Sequence, residues 1–348
     1  MTETPTTISP TALTFAQGTA RQAAGLSVAA GVVQDWLAEG RADALRTGSM
    51  LLVGIGASDA ATATPTHVLR SHGFRAYRST GGDLPAGAPA MADHYVGVSQ
   101  SGRSRETIQA LSSVPKENRF AVVNNPDSPL ARMSGAVLHM GNLQDSRMSS
   151  VAFSATVLTL GMMVDHLVAG TPDPRWGELG EVADAVVAEA DDELADFAHR
   201  ISSAGMVDVV GRAASLTAAQ QGALLFREGP FLPSTFMDTR SYLHGPMDCA
   251  GPTSHVVLGR DREGLLVDQL AERDAPTLLI TDRPVRSSAR TITIPDLPDC
   301  QRSVVEVALL QRLVIHVGQI LDRDIDSSVF RRLDTKIDST AELAGANW

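Results

Sequence analysis

The chain has 348 residues, 43% of them hydrophobic and 20% charged, which excludes a disordered protein and leaves room for two ordinary domains. A net charge of −11 excludes nucleic acid as a general partner, since a phosphate backbone needs a positive surface, so any anionic ligand must be held by a local positive site. The two cysteines, Cys249 and Cys300, form no CxxC pair, which argues against a disulfide framework or structural zinc and for a reducing, cytoplasmic setting.

The opening MTETPTTISP has neither a basic n-region nor an apolar h-region, so no export signal is expected. Apolar residues at three- and four-residue steps predict a leading helix over Leu13–Ala38. Strands then alternate with helices. Met50–Ile55 runs into Gly56-Ala57-Ser58-Asp59 and an Ala/Thr-rich helix to Ser71. Phe74–Tyr77, Tyr95–Val98, Phe120–Val123 and Ala136–Met140 read as further strands, and Ser149–Ala169 as a long helix. The segment Val151–Gly170 approaches membrane-span length, but it carries Asp165 and His166 and lacks basic flanks, so a buried helix and no membrane partner are expected. Alternation of this kind predicts parallel βαβ units in a doubly wound α/β sheet.

Thr171-Pro172-Asp173-Pro174 breaks the chain, and the acidic amphipathic stretch Leu179–Ile201 predicts a connecting helix. The same alphabet then returns: strands at Val207–Val210, His255–Leu258, Thr277–Ile280 and Thr291–Ile294, with helices at Thr217–Arg227, near Glu263–Glu272 and at Val304–Ile320. GIGAS at 54–58 and GRAAS at 211–215 follow the first strand of each half, which suggests a duplicated domain. The expected organisation is a helical arm at 1–44, one α/β domain at 45–172, a connecting helix at 173–200, a second domain at 201–338 and a tail at 339–348.

One stretch concentrates the chemistry. After Tyr95–Val98 come Ser99-Gln100-Ser101-Gly102-Arg103-Ser104, then helical spacing from Glu106 to Leu111. A strand, a Ser/Gly turn and a helix N-terminus form an anion cradle, with hydroxyls as added donors and a glycine that lets the backbone approach. The plainer reading makes Ser101 or Ser104 an N-cap in an exposed loop. The loop is neither a Walker sequence nor G-x-G-x-x-G, so the ligand it suits is a phosphate monoester without a nucleotide. Arg103 and Arg105 either add local positive charge or are simply solvated. Glu228 ends the Thr217–Arg227 helix at the negative end of its dipole, an unfavourable place for a carboxylate and also a common one at the surface. His244 precedes Gly245-Pro246, a turn that would present the imidazole at a loop tip. Ser149, Ser150 and Ser58 read equally as helix caps or hydroxyl ligands, and Lys336 alone reads as surface. The nine histidines show no metal-ligand spacing, so neither a metal nor another cofactor is expected.

Taken together these residues resemble the sugar-isomerase (SIS) family in its double-domain form, similar to the isomerase half of glucosamine-6-phosphate synthase and to SIS-type glucosamine-6-phosphate deaminases and fructosamine-6-phosphate deglycases. Ser99-Gln100-Ser101-Gly102 matches the family's phosphate loop, with Ser104 where a threonine is usual. Gly211-Arg212 stands in register with the catalytic glutamate at Glu228, and His244-Gly245-Pro246 follows sixteen residues later. The resemblance implies two tandem SIS domains, each a doubly wound parallel sheet flanked by helices. It further implies that Ser58, Ser99, Gln100, Ser101 and Ser104 hold the phosphate and nearby hydroxyls of a sugar 6-phosphate, and that Ser149 and Ser150 contact the sugar. Glu228 would move a proton between C1 and C2, His244 would assist ring opening from the neighbouring subunit of a homodimer with shared sites, and Lys336 would lie near the carbonyl. Two departures matter. Thr2 stands where a glutaminase domain would carry its cysteine, so glutamine-dependent amidotransfer is not expected. The synthase's second glutamate and lysine on the catalytic helix are Gln221 and Leu225 here, which implies a different substrate or reaction: deamination or deglycation of an amino-sugar or ketosamine 6-phosphate, plain aldose–ketose isomerisation, or sensing without chemistry.

Overall fold

The computed structural model describes residues 13–84, 90–285, 287 and 289–343; the expected arm before residue 13 and the tail after 343 lie outside them. In chain order the elements are α1 (Phe15–Thr19), α2 (Gln22–Ala38), β1 (Ser49–Gly54), α3 (Ala57–Ser71), β2 (Arg75–Thr80), β3 (His94–Ser99), α4 (Arg105–Ser112), β4 (Arg119–Val123), α5 (Pro129–Met133), β5 (Ala136–His139), α6 (Val151–Ala169) and α7 (Leu179–Ala204). There follow β6 (Val207–Gly211), α8 (Leu216–Glu228), β7 (Ser234–Met237), α9 (Thr239–Tyr242), β8 (Ser254–Leu258), α10 (Arg262–Ala271), β9 (Thr277–Thr281), β10 (Arg290–Thr293) and α11 (Asp299–Ile320).

The chain forms two compact units. One comprises Ala24–Gln144, Val151–Gly180 and Phe330–Trp348; the other comprises Met1–Ala23, Asp145–Ser150 and Glu181–Val329. The first holds a parallel sheet in the order β2-β1-β3-β4-β5. The second holds a parallel sheet that runs, from its opposite edge, β7-β6-β8-β9-β10. Both are therefore the same doubly wound path, and the repetition suggested by GIGAS and GRAAS is a repetition of topology. In each, the winding reverses beside the first strand, which opens a crevice at the carboxyl ends of β1 and β3 and of β6 and β8.

Strands such as β1, where Met50, Leu51, Leu52 and Val53 are all buried, read as unbroken apolar runs because helices cover both faces. In the first-sheet unit α6 packs on α3; in the second-sheet unit α11 packs on α8, with Leu310 seated against Gly222. Both α6 and α11 are long and apolar enough to cross a membrane, and both are buried.

The structure departs from the expected elements where local signals were short. The leading helix breaks at Ala20–Arg21: a capping box between Thr14 and Gln17 opens α1, Ala20 caps its other end with its N–H on Ala16 O, and Gly18 packs so tightly on Ser150 that a Cβ there would stand 1.9 Å from its Oγ. The strand β7 was not expected; it has four residues on the sheet edge, two of them hydroxylic. The last described stretch, from Phe330, joins the first-sheet unit, because Ile337 is fully buried among Leu51, Val53, Ile108 and Leu111.

Candidate functional site

In the first-sheet unit the Ser99–Ser104 loop leaves β3 at the crevice, beside β1 and the first turn of α3, which carries Ser58. Ser99 is buried and its Oγ lies 3.0 Å from Ser104 Oγ; the Ser101 hydroxyl accepts from the Arg103 N–H at 3.3 Å. The backbone is held from three sides. Gly102 N–H donates to Ser99 O, Asn124 N–H donates to Gln100 O, and Leu130 N–H donates to Gly102 O. Gly102 has φ +64°, and a Cβ there would stand 1.9 Å from Ser128 Oγ, the cap of α5. Both facts demand glycine at this position.

The same loop is pinned by the chain's C-terminal stretch. Ser104 pairs with Lys336 in an antiparallel bridge, Arg105 N–H donates to Thr335 O at 3.1 Å, and Ile337 N–H donates to Arg103 O at 3.0 Å. Arg103 and Arg105 are neither simply solvated nor unpaired cations: they reach Asp338 at 2.6 Å and Asp334 at 2.9 Å. Their charge is largely neutralised, and they act as clamps. Lys336, which no spacing in the sequence ties to the cradle, is brought there by this bridge. Its ammonium is held below the usual lysine range, chiefly by lost hydration and then by repulsion from Arg103 and Arg332. The residue remains exposed at its surface, so the desolvation is partial.

In the second-sheet unit, Glu228 is the last residue of α8 and is half-buried. Gly229 ends the helix, with its N–H bonded to Leu225 O at 2.9 Å. The exposed carbonyls of a helix end attract a cation, and Arg147 supplies one: its Nη2 donates to Glu228 O and to Ile325 O, each at 3.0 Å. Arg147 thereby brings Asp145–Ser150 to the end of α8, and Met148 packs near Gly229. Sequence reading missed Arg147, whose partners are remote in the chain. In this segment the Ser149 hydroxyl donates to Asp145 Oδ2 at 2.8 Å, on a half-buried residue. Ser150 is fully buried, and its hydroxyl donates to Asp145 Oδ1 at 2.7 Å and lies 2.9 Å from Ser146 Oγ. Ser150 is thus bonded within its own segment, to Asp145 and Ser146. On the buried face of α8, Gln221 and Leu225 themselves carry no charge.

His244 lies on an exposed turn between α9 and the 246–249 turn, with Gly245 at φ +134°. Two residues earlier, Tyr242 is fully buried and anchors the turn: its hydroxyl lies 2.7 Å from His255 Nε2 and 3.5 Å from Asp208 Oδ2. Burial holds His255 below the ordinary histidine value. Tyr242 packs with Val210, Val257, Leu266 and Leu279 on one face of the sheet. The helix α8 lies with α11 on the other. Within one copy, Glu228 and His244 are thus carried on opposite faces of the sheet. The structure brings Ser58, the serine loop and Lys336 to one crevice, and Ser149 to Glu228, but it does not bring His244 to the Glu228 of its own chain.

No family model matches the chain. Over 252 residues it is 25% identical to the glutamine–fructose-6-phosphate aminotransferase [isomerizing] of Brucella abortus, an alignment covering 66% of this chain and 42% of that protein. The chain thus spans less than half the length of the curated relatives it matches. Among solved structures, the C-terminal domain of glucosamine-fructose-6-phosphate aminotransferase from Francisella tularensis superposes with a TM-score of 0.77 at 18% identity, over 90% of this chain and 98% of that one. The chain thus has the double-SIS fold, with one doubly wound parallel sheet in each of its two units. The tagatose-6-phosphate ketose/aldose isomerase of Escherichia coli shares this double-SIS fold, with a TM-score of 0.75 at 13% identity over 95% and 99% of the two chains.

Proposed function

We propose that this double-SIS protein is a cofactor-free enzyme of the phosphosugar isomerase type, and that its substrate is an amino-sugar or ketosamine 6-phosphate. The observation that carries the reading is the Ser99–Ser104 loop, a hydroxyl-lined turn at the crevice of a doubly wound sheet, clamped by the segment that bears Lys336. Ser58, Ser99, Gln100, Ser101 and Ser104 would hold the phosphate, Ser149 a sugar hydroxyl, and Ser150 the loop geometry. His244 from a second copy would open the ring, and Lys336 would stand near the carbonyl end. The Glu228 carboxylate would take the proton from C2 of an open-chain amino aldose and return it to C1. The resulting C2 imine is hydrolysed by water to a ketose and ammonia. A ketosamine follows the reverse transfer, from C1 to C2, before hydrolysis.

The amino-sugar preference is supported by the similarity to an aminotransferase half and by the uncharged Gln221 and Leu225 beside Glu228. The test is ammonia and fructose 6-phosphate release from glucosamine 6-phosphate. Replacing a positioned proton carrier costs ~10²–10⁴-fold in rate, so Glu228→Gln should remove turnover and leave sugar-phosphate binding intact. Near-normal turnover in that variant would sink the assignment of the base. The lack of charge at Gln221 and Leu225 also favours a second reading, a phosphosugar sensor without chemistry. Under it, wild type and Glu228→Gln bind alike and neither turns over any sugar phosphate.

A further inference from the structure

The segment Asp145–Ser150, which carries Ser149 to the end of α8, is organised by one carboxylate. Asp145 Oδ2 accepts from the Ser149 hydroxyl at 2.8 Å, while Oδ1 accepts from the Ser150 N–H at 3.0 Å and the Ser150 hydroxyl at 2.7 Å. Buried polar groups hold the segment from behind. Gln311 Nε2 donates to Ser150 O at 3.2 Å, and Gln311 Oε1 accepts from Gln22 Nε2 at 2.6 Å, both amides being buried. Gly18 closes on Ser150. From the other side Arg147 donates to the carbonyls of Glu228, Ile325 and Asp326. The segment is fixed before any ligand arrives, and so is the direction of its hydroxyls.

This arrangement sets the polarity of Ser149. An ionised carboxylate has no proton to give, so Ser149 must direct its one hydroxyl hydrogen at Asp145. What remains on Oγ is lone pairs, and Ser149 makes no other hydrogen bond among the described residues. Half-buried, it meets a ligand as an acceptor only. The surrounding charge acts in the same direction. The carboxylates of Asp145, Glu228 and Asp326 belong to the three stretches that Arg147 joins, and the Arg147 N–H groups are themselves engaged by backbone carbonyls. A ligand hydroxyl can donate or accept, so it is indifferent to such a site. An ammonium can only donate, and a carboxylate behind its acceptor strengthens the bond.

We propose that Asp145 is a positioning residue for substrate choice: by taking the Ser149 proton it presents Ser149 Oγ as an acceptor that selects a protonated amine beside the reacting carbon. The inference rests on the phosphosugar reading above and deepens it, since it names the pair that separates an amino-sugar or ketosamine 6-phosphate from a plain sugar phosphate. The two lone pairs of Ser149 Oγ accept from the sugar hydroxyl already assigned to it and from the neighbouring ammonium.

The experiment compares two open-chain ligands with no carbonyl to react, 2-amino-2-deoxyglucitol 6-phosphate and glucitol 6-phosphate, which differ only at C2. Their dissociation constants are measured by titration calorimetry on the full chain, for wild type, Asp145→Asn and Ser149→Ala. A hydrogen bond to a charged group changes affinity by about tenfold or more, so wild type should bind the amine tighter by that factor. Asp145→Asn gives Ser149 an N–H in place of a carboxylate oxygen and turns its hydroxyl outward as a donor. The preference for the amine should then disappear while glucitol 6-phosphate binds as before. Ser149→Ala removes the acceptor and keeps the bonds from Asp145 to Ser150, so it should lose the preference too, and it decides the question if Asp145→Asn fails to fold. A purely structural role for Asp145 would weaken both ligands alike and leave their ratio unchanged. That result, or equal affinities in wild type, overturns the inference and leaves the phosphosugar reading standing. Binding of neither ligand by wild type overturns both.

Discussion

Lys336 is one of only two lysines in the chain, the other being Lys116, and the two give an internal comparison. Both are exposed, so access does not separate them. Lys336 is held below the usual lysine range, first by lost hydration and then by Arg103 and Arg332. At a given pH a larger fraction of its amine is neutral and nucleophilic. An amine-selective acylating reagent at pH 8 should therefore label Lys336 faster than Lys116, read by peptide mass spectrometry. A bound sugar 6-phosphate should slow the reaction at Lys336 and leave Lys116 untouched. If Lys116 reacts first, the crowded cationic setting of Lys336 is wrong. That setting depends on the 334–338 segment docking beside Ser104, so the same comparison reports whether the clamp made by Arg103 and Arg105 is closed in solution.

At the scale of elements, the α9 turn hangs on one buried polar cluster, Tyr242 with His255 and Asp208. Burial lowers the folded-state pKa of His255 from its ordinary value of 6.5. The unfolded chain then takes up the proton first, so the contribution of this histidine is complete above about pH 6.5 and falls as the pH drops below it. It levels off only beneath the depressed folded value. Urea midpoints at pH 7.5 and 5.5 should differ in wild type and differ less in His255→Gln. Tyr242→Phe leaves two buried polar partners without a hydroxyl and should cost about 1–3 kcal/mol. An equal pH dependence in wild type and His255→Gln would remove His255 as the source. The elements legible in the sequence were those with a strong physical signature. Two-sided burial makes β1, β3, β4, β6, β8 and β9 continuous apolar runs, and the serine loop and Glu228 were visible as a turn and a helix end. What stayed hidden was set by tertiary contact. The β7 edge strand needs only one neighbour, α1 separates from α2 because Gly18 meets Ser150, and Arg147 finds the end of α8 across 81 residues of chain.

At the scale of the whole molecule, the position of His244 bears on how many copies make a working unit. Tyr242 fixes the turn that carries it to the sheet face lined by Val210 and Val257, while α8 delivers Glu228 from the other face. A residue held behind a packed sheet cannot reach a substrate at Glu228 of its own chain without dismantling that face. If both groups serve one reaction, the histidine must come from a second copy, and the reciprocal contact of a two-fold dimer supplies it twice. Glu228→Gln and His244→Asn homodimers should each be inactive. Mixed after reversible dissociation, they form dimers in which one site carries both defects and the other carries neither. With random pairing about half the dimers are mixed, and half the sites in those are intact, so roughly a quarter of wild-type activity should return. The measurement is turnover of an equimolar mixture against the two variants alone. No recovery, with subunit exchange verified by mass, would place both groups' action within one chain and require the α9 turn to move.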